Sequence, residues 1–565
     1  MKDSMRSCEH VLTDDVEYKE VVVIGNGPSG MVTSFMLDGN VPYLKQIPED
    51  LPIDEMLRAR LSNLPEGQSL YDADLAELAE GLEGRSQNPI PILMDALLRP
   101  CADLGVQADS LIEWRYESDK QIEHVVLGQG PPGGAWHTFP PDVRTLSPAA
   151  WLTLPPHTDG GAERLSARAV ANYCRRYVHA CKLQRYFRNG VVVTSVTLMP
   201  ETGPPCEHRC CPRKAKFLVT GYEKASLRAV RYACSRAVVC AGGAARGVSL
   251  PRAAPHATHH AAALRRALRH PGLSPLPVLV VGSGVSAADG VLLCAAAARP
   301  VLHVHRAPAP ALARLAPQLY PDYCQVYRLM CGERPGHASL PGYTSLPDHV
   351  ILDVTPLSAD RTGDADDEDL IRPKRVRLLD PRTDTTKEVT VSIIGAFIGS
   401  KPDLFFLQTN LNRDRIDIKA KCTCGRVADE AKRKIDDKQF FLKNHWHHLK
   451  SVVGQSLQNC RSRYFHHTEL NGKRGAPAEC GGEGRCCAAE ALSDGIGFGI
   501  DRSKPVDCRA NPLAIDKSTH ELLAAPRGLY ALGPVAADNF VRFVPGGALA
   551  AVAHMHRAER TNAVL

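Results

Sequence analysis

Three glycines at a fixed spacing carry the clearest chemical signal in the chain. Gly25, Gly27 and Gly30 form G-x-G-x-x-G directly after the apolar, β-branched run at residues 21–24, and the helical pattern PSGMVTSFML follows. The first glycine permits a tight turn, the second lets the backbone approach a pyrophosphate, and the third lets helix and strand pack closely. The helix N-terminus adds N–H donors and a favourable dipole. The segment predicts a dinucleotide site, with packing alone as the alternative.

The same arrangement recurs near the middle of the chain. Gly282, Gly284 and Ala287 lie in GSGVSA after the apolar run at residues 278–281, and the next predicted strand ends at Arg306. An acid at such a strand end selects the ribose hydroxyl of NAD, whereas an arginine can bind the extra phosphate of NADP. Two motifs therefore indicate two bound nucleotides, and Arg306 favours NADPH. The alternative for Arg306 is an ordinary solvated arginine.

A third glycine segment, PPGGAWH, lies between these motifs and follows the predicted strand HVVLG. Gly133 and Gly134 permit close backbone approach, and Trp136 offers a flat face to a ring system. The alternative is a loop that holds a buried tryptophan.

Buried parallel strands are needed to position these motifs. VVVIG is continuously apolar, as a strand covered on both faces is, and HVVLG, RAVVCAGG and PVLVVG also predict strands. Helical patterns follow the two glycine motifs. VVVTSVTLM, KAKFLVTGY and SLRAVRYA predict an antiparallel flap, and PGGALAAVAHMHRA predicts a C-terminal helix whose N-terminus can point at a flavin ring. The pattern predicts an α/β fold with two Rossmann-like dinucleotide-binding domains.

Bulk composition limits the classes of partner. A chain of 565 residues exceeds one core, so two or three domains are expected. No stretch approaches the roughly 20 apolar residues of a membrane span, and the N-terminus lacks an apolar signal core. Nineteen cysteines without a secretion signal fit reduced thiols, so we expect a cytoplasmic protein. The net charge of +6 is spread along the chain, and no nucleic-acid partner is expected.

Longer blocks resemble a known family. They are IGNGPSG, GLEGRSQNPIPILMDALLRP, LGQGPPGGAWHTF, LYPDYCQVYRLM, GYTSLPDHVI, IGSKPDL and LGPVAADNFVRFVPGGALA. Together they span most of the chain, from about Val21 to Ala553. On these blocks the chain resembles flavin-containing monooxygenases and, more closely, the oxidative stress-induced growth inhibitor family.

The resemblance implies FAD and NADPH as cofactors and assigns residues to each. FAD is expected at Gly25, Gly27, Gly30, Gly133, Gly134, Trp136 and Gly533, and NADPH at Gly282, Gly284, Ala287 and Arg306. The resemblance also implies monooxygenase-type activity and a role in restraining growth under oxidative stress. No side chain need act as nucleophile or base in such chemistry. His137 and Asn539 are candidates for a polar contact at the flavin, with structural hydrogen bonding as the alternative.

The implied domains follow from the order of the motifs. We expect residues 1–245 to form the first part of an FAD-binding domain, with a helical insertion at 40–120. Residues 246–385 form the inserted NADP-binding domain, and residues 386–565 return to the FAD-binding domain. Residues 411–505 form a polar, Cys- and His-bearing insertion that could be disordered in part.

Three departures from the family pattern keep alternatives open. Gly128 stands where such flavoproteins have an acid for the adenosine ribose. Pro534 replaces the aspartate of the terminal Gly-Asp pair, and the nearby Asp538 is the acid that we expect at the flavin. The F-x-G-x-x-x-H signature of flavin-containing monooxygenases is missing. The alternatives are an NADPH oxidase without an organic substrate and a regulatory scaffold with the flavoprotein fold.

Cysteines and histidines after residue 420 offer possible metal ligands, namely Cys422, Cys424, Cys480, Cys486 and Cys487 with the histidines of NHWHH and FHH. No C-x-x-C pair at zinc-finger spacing occurs among them. We therefore predict no metal site.

Overall fold

A computed structural model describes two compact units. The described residues are 12–13, 15–106, 108–157, 160–200, 214–242, 246–248, 250, 253, 256–306, 310–333, 340, 342–357, 366–407, 411 and 494–564. The first unit takes residues up to His137, Arg144–Gly243 and residues from Pro402 onward, and the second takes Thr138–Val143 and Ala244–Lys401. In chain order, the second unit is therefore inserted into the first.

The strands are numbered in chain order. They are β1 (Glu17–Ile24), β2 (Asn40–Leu44), β3 (Ile112–Tyr116), β4 (His124–Gly128), β5 (Arg144–Pro148), β6 (Arg164–Ser166), β7 (Phe187–Asn189), β8 (Val191–Leu198), β9 (Phe217–Glu223), β10 (Ala229–Val239), β11 (Arg246–Gly247), β12 (Ala257–Thr258), β13 (Val278–Val281), β14 (Val301–His305), β15 (Tyr343–Pro347), β16 (Val350–Pro356), β17 (Lys374–Asp380), β18 (Thr385–Val391), β19 (Ile393–Ala396), β20 (Ser400–Lys401) and β21 (Leu529–Ala531).

The α-helices are numbered in the same way. They are α1 (Pro28–Leu37), α2 (Glu55–Ser62), α3 (Leu75–Leu78), α4 (Pro89–Leu98), α5 (Ala167–Ala180), α6 (Ala261–Leu268), α7 (Val285–Ala296), α8 (Pro310–Ala313), α9 (Pro321–Met330), α10 (Asp366–Ile371) and α11 (Val544–Val564). None of the helices in the described part of the chain combines the length and apolar character needed to cross a lipid bilayer.

The first unit is built on a sheet with β1 near its centre. The strand order is β7-β4-β1-β10-β9-β8, and β21 also pairs with β10. The strands β7, β4, β1, β10 and β21 are parallel, and β9 and β8 extend the sheet antiparallel. Val21 and Val23 face one hydrophobic core, whereas Val22 and Ile24 face another. This alternation confirms the prediction of a strand buried on both faces.

One prediction about this sheet was wrong. SLRAVRYA and RAVVCAGG were expected to form two strands, whereas the structure has the single strand β10. The first half of β10 pairs with β9 and its end pairs with β21, while β1 runs alongside it. On one side of β10, β9 and β21 follow one another as pairing partners, and on the other side β1 pairs along most of its length. β10 therefore stays continuous where its sequence becomes polar.

The second unit contains a five-stranded sheet in the order β12-β19-β13-β14-β15, with every pair parallel. Val278 and Val280 face a core shared with helices, whereas Leu279 and Val281 face a core shared with the antiparallel sheet β16-β17-β18. Both units therefore confirm the predicted α/β class with two Rossmann-like domains. The predicted domain boundaries stay predictions, and in the structure Ile393–Ala396 pairs within this second sheet.

The predicted helical insertion contains more than helices. It includes α2, α3 and α4, and its ends form the antiparallel pair β2-β3. The pair escaped sequence analysis because its strands are distant along the chain. The later polar insertion, predicted at 411–505, mostly lies outside the described residues. The end of this insertion, from residue 494, is described, and Phe498 there is buried in a core of the first unit.

A buried ionic cluster links α4 to the residues before α11. Arg542 is 3% exposed, and its Nε donates to Asp95 at 2.8 Å. Its Nη1 donates to Asp103 at 3.0 Å, and the guanidinium lies 4.2 Å from the Trp151 ring centroid. Arg99 approaches the same Asp95 at 3.3 Å. The inserted segment is therefore fastened to the start of the C-terminal helix.

Replacing Asp95 by Ala should strongly destabilise the first unit. The change leaves Arg542 buried without its main carboxylate, and an uncompensated buried charge costs about 3–5 kcal/mol. Asp103→Ala is the matched control, since Asp103 contacts the same guanidinium but its side chain is 48% exposed, and exposed pairs contribute about 0–1 kcal/mol. Urea unfolding followed by tryptophan fluorescence measures both free energies. Equal losses for the two variants would contradict the buried-pair interpretation.

Candidate functional site: two glycine cradles

Two close backbone contacts shape the first glycine motif. Gly25 has φ +115°, and a Cβ there would overlap the carbonyl oxygen of Cys240, which follows β10. A Cβ on Gly30 would overlap the carbonyl oxygen of Gly25. Only glycine permits these approaches. They hold the N-terminus of α1 at the carboxyl edge of the sheet, where ligands of such folds bind.

Gly27 differs from both of its neighbours in the motif. Its φ of −72° is accessible to any residue, and it forms the N-cap of α1. Within the described part of the chain, a Cβ on Gly27 would meet no heavy atom within 4 Å. The side of Gly27 on which a Cβ would project therefore faces open space beside the first N–H groups of a helix. This arrangement fits a pyrophosphate group.

The structure brings the segment PPGGAWH onto the first motif. The N–H of Gly133 donates to the carbonyl of Asn26 at 2.9 Å. A Cβ on Gly134 would lie 3.2 Å from the Cα of Gly27, so the two backbones are in close contact. Trp136 is partly buried against the core of the unit. His137 shares a hydrogen bond of 2.8 Å with the carbonyl of Pro132, so its Nε2 donates.

The turn after β21 also reaches this region. Gly533 has φ +73°, and a Cβ there would overlap the hydroxyl oxygen of Ser29 in the first turn of α1. Asn539 is exposed, and its Nδ2 donates to the carbonyl of Cys508 at 2.8 Å. Gly533 thus lies at the first motif, whereas the amide of Asn539 holds a neighbouring loop.

Asp538 is buried and faces the inserted segment before α4. Ser86 donates its hydroxyl to Oδ1 at 2.5 Å, and Asn88 donates its amide to Oδ2 at 3.2 Å. Asn88 also donates to the carbonyl of Ala536 at 2.8 Å. Burial raises the pKa of Asp538 from 3.8 to about 7, and the two hydrogen bonds oppose that rise. Its expected flavin contact stays a prediction, and its observed partners are Ser86 and Asn88.

The second motif repeats the geometry of the first. Gly282 has φ +140°, and a Cβ there would overlap the carbonyl oxygen of Phe397, which follows β19. Gly284 forms the N-cap of α7 with φ −92°, and among the described residues a Cβ on it would meet nothing within 4 Å. Ala287 is buried, and its N–H donates to Gly284 at 3.0 Å. This cradle also fits a pyrophosphate group.

Arg306 directly follows β14, beside this second motif, and His303 lies within that strand. The N–H of Arg306 donates to the Ser283 hydroxyl at 3.0 Å, and its side chain is exposed. His303 contacts the carbonyl of Gly282 at 2.8 Å and the Tyr343 hydroxyl at 2.8 Å. Burial lowers the pKa of His303 to about 4, so the imidazole is neutral and donates from Nε2 to the carbonyl. His303 therefore holds the turn at Gly282 through this hydrogen bond.

Sequence analysis missed these supporting residues. His303 looked like any inward-facing strand residue, and Ser86 and Asn88 lay within a block quoted only for its resemblance. The side chain of Asn26 was also overlooked, although it fills the space that a Cβ on Gly128 would take. The glycine at the end of β4 was a usable signal, because it leaves room for a neighbouring side chain.

Within the described ranges, no group of three or more His, Cys, Asp or Glu side chains is placed to hold a metal ion. Cys422, Cys424, Cys480, Cys486 and Cys487 lie outside those ranges.

The stability of the first unit should fall as the pH rises from about 4 to about 7, because folded Asp538 keeps a proton that the unfolded chain releases. Its pKa is about 7 in the folded chain and 3.8 ordinarily, so folding takes up a proton between these values. Wild-type stability attributable to this group is present at low pH and is lost as the pH rises towards 7. Asp538→Asn does not ionise, and its amide oxygen can still accept from Asn88 while its NH2 group donates to the Ser86 hydroxyl oxygen. The thermal midpoint of the variant should therefore rise relative to that of the wild type between about pH 5 and about pH 8. A constant difference would refute this assignment.

Comparisons with known proteins place the chain in a family. No protein-family model matches it. It is 32% identical over 566 residues to oxidative stress-induced growth inhibitor 1 of Mus musculus, covering 95% of each chain. It is 30% identical over 579 residues to the Homo sapiens protein of the same name, covering 98% of each chain.

Solved structures are more distant. A bacillithiol disulfide reductase from Staphylococcus aureus is 12% identical, with a TM-score of 0.48 over 96% of this chain and 99% of that one. A variant flavin monooxygenase from Stenotrophomonas maltophilia is also 12% identical, with a TM-score of 0.43 over 97% and 100% of the two chains. The strand order of the two sheets shows the fold directly. The curated relatives confirm the resemblance of the sequence blocks: the chain belongs to the oxidative stress-induced growth inhibitor family.

Proposed function

We propose that the chain is an FAD-dependent oxidoreductase that takes reducing equivalents from NADPH. One observation carries this proposal, namely the pair of glycine cradles at Gly25–Gly30 and Gly282–Ala287. Each cradle lies between the end of a buried parallel strand and the N-terminus of a helix. Two such cradles in one chain favour a protein that uses two nucleotides together.

The first cradle would hold FAD. Gly25 and Gly30 bring the helix to the strand, and the open side of Gly27 leaves room for the pyrophosphate. Gly133, Gly134 and Gly533 pack around this turn, and Trp136 lies two residues after Gly134. The fit is supported by backbone contacts rather than by charged side chains, as in other dinucleotide sites.

The second cradle would hold NADPH. Gly284 is open in the same way as Gly27, and Arg306 lies at the end of the adjacent strand with an exposed side chain. The hydrogen bond from the Arg306 N–H to Ser283 fixes the start of that side chain relative to the turn. A guanidinium there can bind the extra phosphate that distinguishes NADPH from NADH.

The chemistry would come from the cofactors, because flavins accept hydride from nicotinamides and, once reduced, react with oxygen. The residues of this chain would bind and orient the two nucleotides and exclude water. We propose monooxygenase-type activity on an organic substrate, in the cytoplasm. By analogy with the names of its relatives, we propose that the protein restrains growth under oxidative stress.

Two alternatives have specific support. An NADPH oxidase without an organic substrate is favoured by the missing F-x-G-x-x-x-H signature, and oxygen uptake that depends on an added substrate separates it from a monooxygenase. A regulatory scaffold is favoured by Gly128 and Pro534, and by the engagement of Asp538 with Ser86 and Asn88. A purified protein that stays colourless after incubation with FAD would favour the scaffold.

Gly27→Ala and Gly284→Ala should separate the two cradles. Each added methyl group meets open space in the fold but intrudes where a pyrophosphate would lie. We expect wild-type protein to show flavin absorption bands that bleach with NADPH under anaerobic conditions. Gly27→Ala should lose bound flavin, whereas Gly284→Ala should keep its flavin and bleach at least about tenfold more slowly, as for one lost binding contact.

Thermal midpoints within a few degrees of wild type would show that both variants fold. Gly30→Ala serves as the contrasting variant, since its methyl group would overlap the carbonyl of Gly25 and should destabilise the first unit itself. Retention of flavin by a folded Gly27→Ala protein would count against the first cradle.

Arg306→Ala should remove the preference for NADPH over NADH. Loss of a charge-assisted contact to the ribose phosphate should raise the NADPH dissociation constant by about 10–100-fold. The NADH constant should hardly change, because NADH lacks that phosphate. Stopped-flow flavin reduction with each nucleotide measures both constants. Arg314→Ala, at another exposed arginine of the second unit, is the matched control, and equal effects from both variants would reject the assignment.

A further inference from the structure

The end of β4 lacks the side chain that usually reads a ribose. Gly128 is the last residue of this strand, next to β1, where an acid ordinarily hydrogen-bonds the adenosine ribose of a dinucleotide. A Cβ on Gly128 would overlap the side-chain amide of Asn26. The side chain of Asn26 therefore occupies the space that an acidic side chain at position 128 would need.

The hydrogen bonds of Asn26 fix the orientation of a second amide. Asn26 Nδ2 donates to the carbonyl of Gly130 at 2.6 Å and to Oδ1 of Asn189 at 2.9 Å. Because a carbonyl can only accept, the Asn26 nitrogen must face Gly130 and give its other N–H to Asn189. Asn189 must then present its oxygen to Asn26, and its own Nδ2 group points away from that bond.

Asn189 lies at the strand edge that the nucleotide would approach. It ends β7 and pairs in register with Gly128, so it belongs to the same carboxyl edge as the first glycine motif. Asn26 is 3% exposed, whereas Asn189 is exposed. Asn26 is thus the buried positioning residue, and Asn189 is the residue available to a ligand.

We propose that the Asn189 amide, held by Asn26, recognises the adenosine ribose of the dinucleotide in the first cradle. This inference rests on the proposed FAD site and deepens it. The amide donates a hydrogen bond to a ribose hydroxyl oxygen, where an acid would accept one. Recognition is therefore neutral and donor-based, and it substitutes for the side chain that Gly128 lacks.

Binding of FAD analogues with a 2′-deoxy or a 3′-deoxy adenosine ribose tests the proposal. Wild-type protein should bind FAD about fivefold more tightly than at least one analogue, as expected for one neutral hydrogen bond. Asn189→Ala should bind FAD and that analogue equally. Asn189→Asp should restore discrimination, because a carboxylate accepts from ribose hydroxyls. Asn26→Ala should weaken discrimination, because the Asn189 amide is then free to turn.

A merely structural role for Asn189 would change the stability of the protein but not the ratio of the two affinities. Asn63→Ala, at an exposed asparagine of the same unit, should leave that ratio unchanged. The proposal is overturned if Asn189→Ala retains the wild-type ratio, or if wild-type protein binds FAD and both analogues equally. Wild-type protein that binds no FAD at all would instead overturn the proposed function and this inference with it.

Discussion

The absence of a side chain at Gly25 and Gly282 is the constraint on which both glycine cradles depend. Each glycine follows the central strand of its sheet with a positive φ and lies against a carbonyl oxygen at the end of the neighbouring strand, that of Cys240 or Phe397. A methyl group at either position would overlap that oxygen. The chain can therefore turn directly from strand to helix, and the first helical N–H groups stay at the carboxyl edge of the sheet.

Around the first cradle, support comes from parts of the chain that are far apart in sequence. Gly134 packs on Gly27, and Gly533 packs on Ser29. The segment before α4 meets the C-terminal turn through Asp538, and Arg542 ties α4 to the start of α11. Burying a carboxylate and a guanidinium costs solvation, which only close mutual contacts can offset. The inserted segment is therefore an integral part of the first unit.

In the proposed FAD site, the polar side chain at the end of β7 differs in kind from the acid that usually binds the adenosine ribose. A carboxylate there carries a full charge, whereas the Asn26–Asn189 pair is neutral and joined by a hydrogen bond. A neutral amide is less costly to bury than a carboxylate, which allows Asn26 to be almost completely covered. Gly128 is thereby compatible with the proposed dinucleotide site. Gly128 has no side chain, and this leaves the space that the Asn26 amide occupies.

The sequence by itself determined the strands, helices and turns of both cradles, because their signals are local. Glycine spacing, β-branched runs and helical periodicity act over a few residues, and the structure has β1, α1, β13 and α7 where these patterns predict them. Contacts between distant segments were decided only by the tertiary structure. The pairing of β2 with β3, the continuity of β10, the partners of Asp538 and the bond from Asn26 to Asn189 are of this kind. Such contacts depend on loop closure and on the packing of the whole unit, which no window of neighbouring residues encodes.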